Sequence, residues 1–587
     1  MNGAQRLVHA PNQADTRFNK LHGLILLMYW GFLTYPALST GYIPSRDVLI
    51  HLLWSSSFSD QLWAGDLYPR WLSGMNNGFG SPAFVFYGPL PYYFTALLRP
   101  FLAADPEGWH QLGVAAALAV LFSGAAAYAW LKAISNEIGA LIGALLYMSA
   151  PYHLAWDLYE RFAFAELWAF VWLPLILLSV QRITEERRAA VVSLGLSYAA
   201  LTLTHLPTVL IFSWIPPLYA LWIGKRNQWA ANTGLTLLGM ALGVGLAGFY
   251  VLPALLTQHN VSFAAMRTGH YFYDYHFLYY GPRFNQEFAQ VVATQGRYAA
   301  QMLSVGAVGL LCGFFEREQP AKRQCLFWLA AALIAFAMML PLSRPLWAAL
   351  PPLQAIQFPW RFNLLLTLAC SAAVALGLYA AANRGRTWPI LVILALCVYA
   401  TAATWRTNMI YQAISRSPGL PSIEKMEKQF GSLNAEALKK ALAAKLRLDV
   451  GEYRPHWVPA DLFSEAGFEQ KMAALRKLPQ EAQAWWASKV KTPKQIEFTT
   501  HAKTATWVPV HQFYYPNWTA RIAGHSERLP VRPSAVDGRL EVQVPPGEQQ
   551  VVVSFENRKE ERIGQAVSLM AAVMLLVLAW VLRKQPS

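Results

Sequence analysis

Leu112-Gly-Val-Ala-Ala-Ala-Leu-Ala-Val-Leu-Phe-Ser-Gly-Ala-Ala-Ala-Tyr-Ala-Trp-Leu131 is a run without a single charged side chain. Coiled into a helix at about 1.5 Å per residue, such a run matches a hydrocarbon layer about 30 Å thick. It is not isolated. Ala231 to Leu252 has the same character, and comparable stretches cover approximately 21–38, 138–156, 162–181, 189–205, 208–224, 299–315, 325–342, 361–381, 388–405 and 565–582. Only 14% of the 587 residues are charged and mean hydropathy is +0.27, against about a quarter charged in soluble domains. The sequence therefore predicts a polytopic α-helical membrane protein with about twelve spans.

The net charge of +15 would suggest nucleic acid in a soluble protein. Here short basic loops explain it: Arg182/Arg187/Arg188, Lys225/Arg226, Arg317/Lys322/Arg323, Arg384/Arg386 and Arg583/Lys584 place those loops, and both termini, in the cytoplasm by the positive-inside rule. Cys312, Cys325, Cys370 and Cys397 all lie in apolar spans, so no disulfide framework is expected outside. Leu21 to Leu38 reads as a retained signal-anchor. Pro89 to Leu102 is apolar, but it is short, holds Pro89, Pro91, Pro100 and Arg99, and reads as an interfacial helix within the first outside loop, 39–111. Residues 1–405 form the multispanning domain on this reading. Residues 406–564 form an extracytoplasmic α+β domain, and 565–587 the final span and a short tail. Within the outside domain, 420–490 is charged and Ala/Leu/Lys-rich, which suggests helices. Alternating Leu540-Glu-Val-Gln-Val544 and β-branched Val551-Val-Val-Ser-Phe555, with turns at Pro516-Asn517 and Asp537-Gly538, predict a small β-sandwich over 494–557.

Polar side chains gather at the outer ends of the spans. Asp47 and His51 stand four residues apart and share a helical face, although an aspartate after Pro44-Ser45 can also be a helix cap. Asp66, Arg70 and the turn Asn76-Asn77-Gly78-Phe79-Gly80 follow in the same loop. Asp157-Leu-Tyr-Glu160-Arg161 occupies a very short outside loop; its carboxylates suit a sugar or a cation such as Mg²⁺ or Mn²⁺, and an Asp157–Arg161 pair would merely end a helix. Arg361, at the start of a span, can reach lipid headgroups or grip a lipid phosphate, and Arg70 is a candidate for the same task. His205 lies at an outside hairpin, either as a turn residue or as an ionisable group at the membrane edge. Tyr271, Tyr273, Tyr275, Tyr279 and Tyr280 read first as an interfacial aromatic belt.

Taken in order, Gly65-Asp-Leu-Tyr-Pro-Arg-Trp71, Phe84-Val-Phe-Tyr-Gly-Pro-Leu-Pro-Tyr92, Ala150-Pro-Tyr-His153, Asp157-Leu-Tyr-Glu-Arg161, Thr204-His-Leu-Pro207, Gln357-Phe-Pro-Trp-Arg361 and Tyr514-Tyr-Pro-Asn-Trp518 resemble the GT-C superfamily of membrane glycosyltransferases. In particular they resemble a bacterial membrane family labelled "6-pyruvoyl-tetrahydropterin synthase-related". The resemblance covers nearly the whole chain. It implies a bacterial inner-membrane enzyme with an extracytoplasmic site, a polyprenyl-phosphate sugar donor and an acceptor glycan, lipid or protein. It also implies Asp47 as the catalytic carboxylate, with Asp157 and Glu160 in the position of a second acidic motif. Arg361 or Arg70 would hold the phosphate, and His51, Arg161 and His205 would bind substrate or cation. The chain departs from the pattern in lacking a D-x-D or E-x-D pair at Asp47, which leaves metal dependence open. A non-catalytic scaffold for envelope glycan assembly is the alternative, and a lipid or glycan transporter a further one. A transporter would carry ionisable groups along a midplane path, whereas here they cluster at the rim.

Overall fold

A computed structural model of the protein describes residues 13–415, apart from 42, 44, 103–104, 106–107, 315–318 and 386, together with 449–459, 462 and 489–583. Among these, nine helices are long and apolar enough to cross a membrane, including Trp109–Ile134, Glu137–Glu160, Phe164–Thr184, Leu206–Ile223, Pro359–Asn383 and Lys559–Leu582. Ala190–Thr204 and Ile390–Arg406 are shorter apolar helices. The amphipathic helix Gln286–Phe314 packs beside Asn363–Asn383. The protein is a multi-pass helical membrane protein.

Small residues set how closely the helices approach, as expected where lipid removes the hydrophobic drive between them. A Cβ on Gly377 would lie 2.6 Å from Gly309, and one on Gly124 would lie 2.2 Å from the sulfur of Met148. Asn363–Asn383, buried along almost its whole length, is the central post of the bundle.

The segment that follows the first span folds onto the bundle end as a helix, Val48–Trp63, and the short helix Leu90–Leu97. Pro89 to Leu102 makes that helix and a 3₁₀ turn, too short to cross a membrane. The C-terminal region is β as expected. Strands β1 (Lys489–Thr492), β2 (Gln495–Ala502), β3 (Thr506–Phe513), β4 (Trp518–Ile522), β5 (Arg528–Leu529), β6 (Val531–Pro533), β7 (Arg539–Val544) and β8 (Gly547–Phe555) form two antiparallel sheets, ordered β1-β2-β8-β4-β5 and β3-β7-β6. Alternate residues Leu540, Val542 and Val544, and Val551, Val553 and Phe555, are buried, the period-2 pattern of a sandwich core.

Two expectations are corrected. Residues 157–161 are not simply a loop: Pro151–Glu160 is a π-helix, and Asp157 is fully buried on it. Of the 420–490 stretch read as helical, 449–459 and 462 lie within the described residues, together with 489–490, which begin strand β1. Over 449–459 the chain is extended, with one 3₁₀ turn at Gly451–Tyr453, because Gly451, Pro455 and Pro459 interrupt any helix.

Candidate functional site

Several chain ends meet on one face of the bundle. Glu137–Glu160 ends and Pro359–Asn383 begins there; Ala190–Thr204 turns at His205 into Leu206–Ile223. Together with Val48–Trp63 they enclose a cavity of about 190 Å³ lined by Asp47, His51, Tyr87, Arg161, His205, Tyr271, Gln357, Arg361, Glu452 and Tyr453, among others.

Asp47 precedes the first turn of its helix but makes no side-chain capping bond. Its carboxylate is committed elsewhere: Arg161 Nε donates to Asp47 Oδ2 at 3.0 Å, and the Asp47 backbone N–H donates to the Arg161 carbonyl at 2.8 Å. Burial opposes the charge on Arg161, but Asp47 and then Glu166 outweigh it and hold the guanidinium pKa up. Arg361 is held from behind. Glu166 lies 3.3 Å from its Nε and the Ile356 carbonyl accepts from its Nη1 at 2.7 Å. Both guanidinium carbons sit 5.1 Å from the ring centroid of Phe358, within cation–π range.

Backbone irregularities shape this wall. Phe162 and Gln357 have positive φ, 62° and 68°, a conformation that costs of order 1–3 kcal/mol for non-glycine residues and tends to cluster at functional sites. On the opposite wall Gly88 runs against the 204–205 turn: a Cβ there would lie 2.2 Å from the Thr204 carbonyl oxygen.

His51 lines the cavity, but its Nδ1 shares a 2.6 Å hydrogen bond with the Tyr92 hydroxyl amid Trp54, Tyr87, Phe162 and Phe164. Burial pushes its pKa down to about 4, so it is neutral at physiological pH. His205 also lines the cavity, its Nδ1 2.8 Å from Thr208 Oγ1.

Three sequence candidates lie off the cavity wall. The wider π turn, closed by i→i+5 bonds such as Arg161 N–H to the Trp156 carbonyl at 2.8 Å, separates residues three apart that an α-helix would place together. Asp157 points into the bundle, where neither carboxylate oxygen has a hydrogen-bond partner among the described residues. Glu160 instead accepts from the Tyr298 hydroxyl. Arg161 pairs with Asp47 rather than with Asp157. Arg70 is buried 3.0 Å from Glu561 and donates to Asn557, which ties the first loop to the foot of the last span.

The glycine-rich turn is an anchor for the sandwich. The Phe79 carbonyl accepts from the Phe513 N–H at 2.7 Å, and Gln512 donates to the Gly78 carbonyl while accepting from Trp71 Nε1 at 2.7 Å. At Gly80 (φ 84°) a Cβ would meet the Trp71 ring at 2.4 Å.

Sequence reasoning missed Glu166 and the segment 449–453. Glu166 lies inside an apolar span, and a lone carboxylate there was itself the signal. Asp449 is half-buried, accepting from Trp54 Nε1 at 2.9 Å and from Ser81; desolvation raises its carboxyl to about 6. It fixes the segment that brings Glu452 and Tyr453 to the cavity. Burial, reinforced by Asp449 and Asp47, pushes the Glu452 carboxyl up, and the Tyr271 hydroxyl donates to it at 3.4 Å.

Asp47 is engaged by Arg161, a second guanidinium faces the same space, and no three potential ligands cluster among the described residues.

A sequence model of the bacterial membrane protein YfhO family matches residues 75–422, more than half of the chain. The chain belongs to the YfhO family. No curated protein matches this YfhO-family chain. Among solved structures it is similar to arabinofuranosyltransferase AftD from mycobacteria, at 16% identity and TM-score 0.46, over 68% of this chain and 27% of that one. It is also similar to ArnT from Cupriavidus metallidurans bound to undecaprenyl phosphate (14%, TM-score 0.39, 73% of this chain and 80% of that one). A third similarity is to the archaeal oligosaccharyltransferase AglB from Archaeoglobus fulgidus in complex with an inhibitory peptide and a dolichol-phosphate (13%, TM-score 0.37, 79% and 60%). The YfhO-family chain thus spans little more than a quarter of the AftD chain's length.

Proposed function

We propose that this YfhO-family protein transfers a glycosyl unit from a polyprenyl-phosphate donor to an acceptor on the outer face of the bacterial inner membrane. The observation that carries this reading is a single cavity at the ends of the spans that holds a carboxylate, Asp47, and two guanidiniums, Arg161 and Arg361, beside an aromatic wall. The order of motifs resembling GT-C enzymes agrees with it.

Each part has a task in such a transfer. The acceptor hydroxyl attacks the anomeric carbon as Asp47 takes its proton. A new C–O bond forms to the acceptor, and the bond from the anomeric carbon to the phosphate oxygen breaks with its electron pair going to the phosphate. A donor phosphodiester carries one negative charge and the departing monoester more, so a guanidinium fixed in place by Glu166 stabilises the charge that develops late. Tyr87, Tyr271 and Tyr453 offer ring faces and hydroxyls to a sugar. The apolar grooves between spans suit the lipid tail, and the sandwich, anchored on the first loop, is placed to meet the acceptor.

The test follows glycans and glycolipids by mass spectrometry in cells lacking the protein, rescued at matched expression with wild type or Asp47→Asn. A saccharide unit restored only by wild type supports the transfer, and its mass identifies what is moved. Equal rescue by both removes Asp47 from the chemistry and favours a scaffold role centred on the sandwich.

A further inference from the structure

Arg161 and Arg361 are held differently. Arg361 has Glu166 and the Ile356 carbonyl behind it. Arg161 spends its Nε on Asp47, while its Nη1 is buried with no hydrogen-bond partner among the described residues. Phe358 lies against both guanidiniums at the same 5.1 Å and so keeps them as neighbours. Asp47 has a side chain 38% exposed and makes no capping bond; Arg161 is its side-chain hydrogen-bond partner among the described residues. The carboxylate therefore sits as an anion at the edge of a two-guanidinium pocket. A phosphate offers more oxygens to the same forked donors. At about 190 Å³ the cavity is smaller than the roughly 300–1,000 Å³ usual for ligand pockets, so a ligand enters by moving a side chain. Asp47 is a wall side chain suited to that move, 38% exposed and ion-paired to Arg161 alone among the described residues.

We propose that Arg161 and Arg361 form a phosphate-binding site in which Asp47 is the resident stand-in anion. A lipid-linked phosphate takes Arg161 from Asp47, and the displaced carboxylate becomes the base. The proposal rests on the glycosyl-transfer reading and adds to it a second phosphate ligand and an order of events: the base is freed only once the donor phosphate is seated. The carboxylate side of the pair is 38% exposed against 17% for Arg161, so water can take up the released carboxylate while phosphate replaces its charge beside the guanidinium.

The experiment measures binding of undecaprenyl phosphate to the purified full chain in nanodiscs, by quenching of tryptophan fluorescence and by native mass spectrometry. Undecaprenol serves as the uncharged arm and inorganic phosphate as competitor. Asp47→Asn is expected to bind undecaprenyl phosphate roughly fivefold tighter than wild type, since it removes the ion pair that competes for Arg161. Arg161→Gln and Arg361→Gln are expected to bind it roughly tenfold or more weakly, the loss of a charge-assisted bond. Arg161→Lys keeps the charge but loses the fork, and should fall between if Arg161→Gln does not fold. Undecaprenol binding should be indifferent to all four substitutions. Competition by inorganic phosphate would show that the site reads the phosphate itself; no competition, together with indifference to the arginine substitutions, would assign binding to the tail and overturn the site. If Asp47→Asn binds no tighter while the arginine variants weaken, displacement is overturned and the transfer reading stands. If wild type binds no lipid phosphate at all, both fail.

Discussion

Asp47 and Arg161, 114 residues apart in sequence, are joined twice, by a 3.0 Å ion pair between side chains and a 2.8 Å hydrogen bond between backbones. The backbone bond fixes the start of the first-loop helix against the end of the π-helix, so the side-chain pair can open without the elements separating. A change of partner at this point is local. It needs rotation of one aspartate side chain and no domain movement.

The Arg361–Glu166 pair behaves differently because both side chains are almost wholly buried, at 7% and 1% exposure. Removing one partner leaves the other charge uncompensated, a loss of about 3–5 kcal/mol for a buried pair. Glu166→Gln should therefore lower the unfolding midpoint sharply in detergent. Asp60→Asn, which breaks the exposed Arg99–Asp60 pair, should cost no more than about 1 kcal/mol. Parallel thermal melts of the two variants check this contrast.

Arg70 separates structure from chemistry. Its guanidinium is engaged by Glu561 and Asn557, away from the cavity. Arg70→Gln is expected to destabilise by about 3–5 kcal/mol while leaving undecaprenyl phosphate affinity of the folded fraction unchanged. Weakened lipid binding by well-folded Arg70→Gln would return it to the site.

Asp449 and His51 make opposite demands on pH. His51 is held down to about 4 by burial, below its ordinary 6.5. The stability it lends is present above pH 6.5 and is lost as pH falls towards 4. Asp449 is raised from 3.8 to about 6 by burial. The folded state therefore binds its proton more tightly, and stability is lost as pH rises from 3.8 through 6. Asp449→Asn keeps an oxygen to accept from Trp54 and the Val450 N–H and escapes that cost. It should stabilise the protein at pH 7.5, on the order of 3 kcal/mol at most, and not at pH 4. Melting curves of wild type and variant across this range decide it; equal gains at both pH values would refute the ionic origin.

Gly88→Ala tests the wall at the 204–205 turn. The added methyl would meet the Thr204 carbonyl oxygen at 2.2 Å, a backbone atom that can yield only by moving the turn. A penalty of about 1–3 kcal/mol is expected from such overpacking, with transfer falling further than stability because His205 shifts with the turn. Matched melting and glycan-rescue measurements on the one variant separate the two effects.

The multispan fold was legible because hydrocarbon tolerates so few side chains that runs such as Leu112–Leu131 have no other reading. The sandwich was legible through alternation at 540–544 and 551–555. Asp47 and His51 were correctly placed on one turn, and the structure brings both to the cavity with Arg161, His205 and Arg361. What a sequence cannot display is pairing across distance. Nothing local to Asp47 names Arg161, and nothing local to Arg361 names Glu166. Asp157 and Glu160 were read with α periodicity, which the π turn breaks. Glu452 and Tyr453 sit in a stretch whose composition resembles the charged, Ala/Leu/Lys-rich sequence around it, and the contacts of Asp449 with Trp54 and Ser81 help bring them inward.

That inserted stretch sets the order in which the protein becomes competent. Val450, Glu452 and Tyr453 leave the ribosome about three hundred residues after Arg161, once the spans up to Ile390–Arg406 have been made. A nascent chain halted before residue 449 holds both arginines and every span but Lys559–Leu582, yet one side of the chamber is open. Completion of the chamber wall thus waits on the docking of a segment made late, after both arginines are already in place.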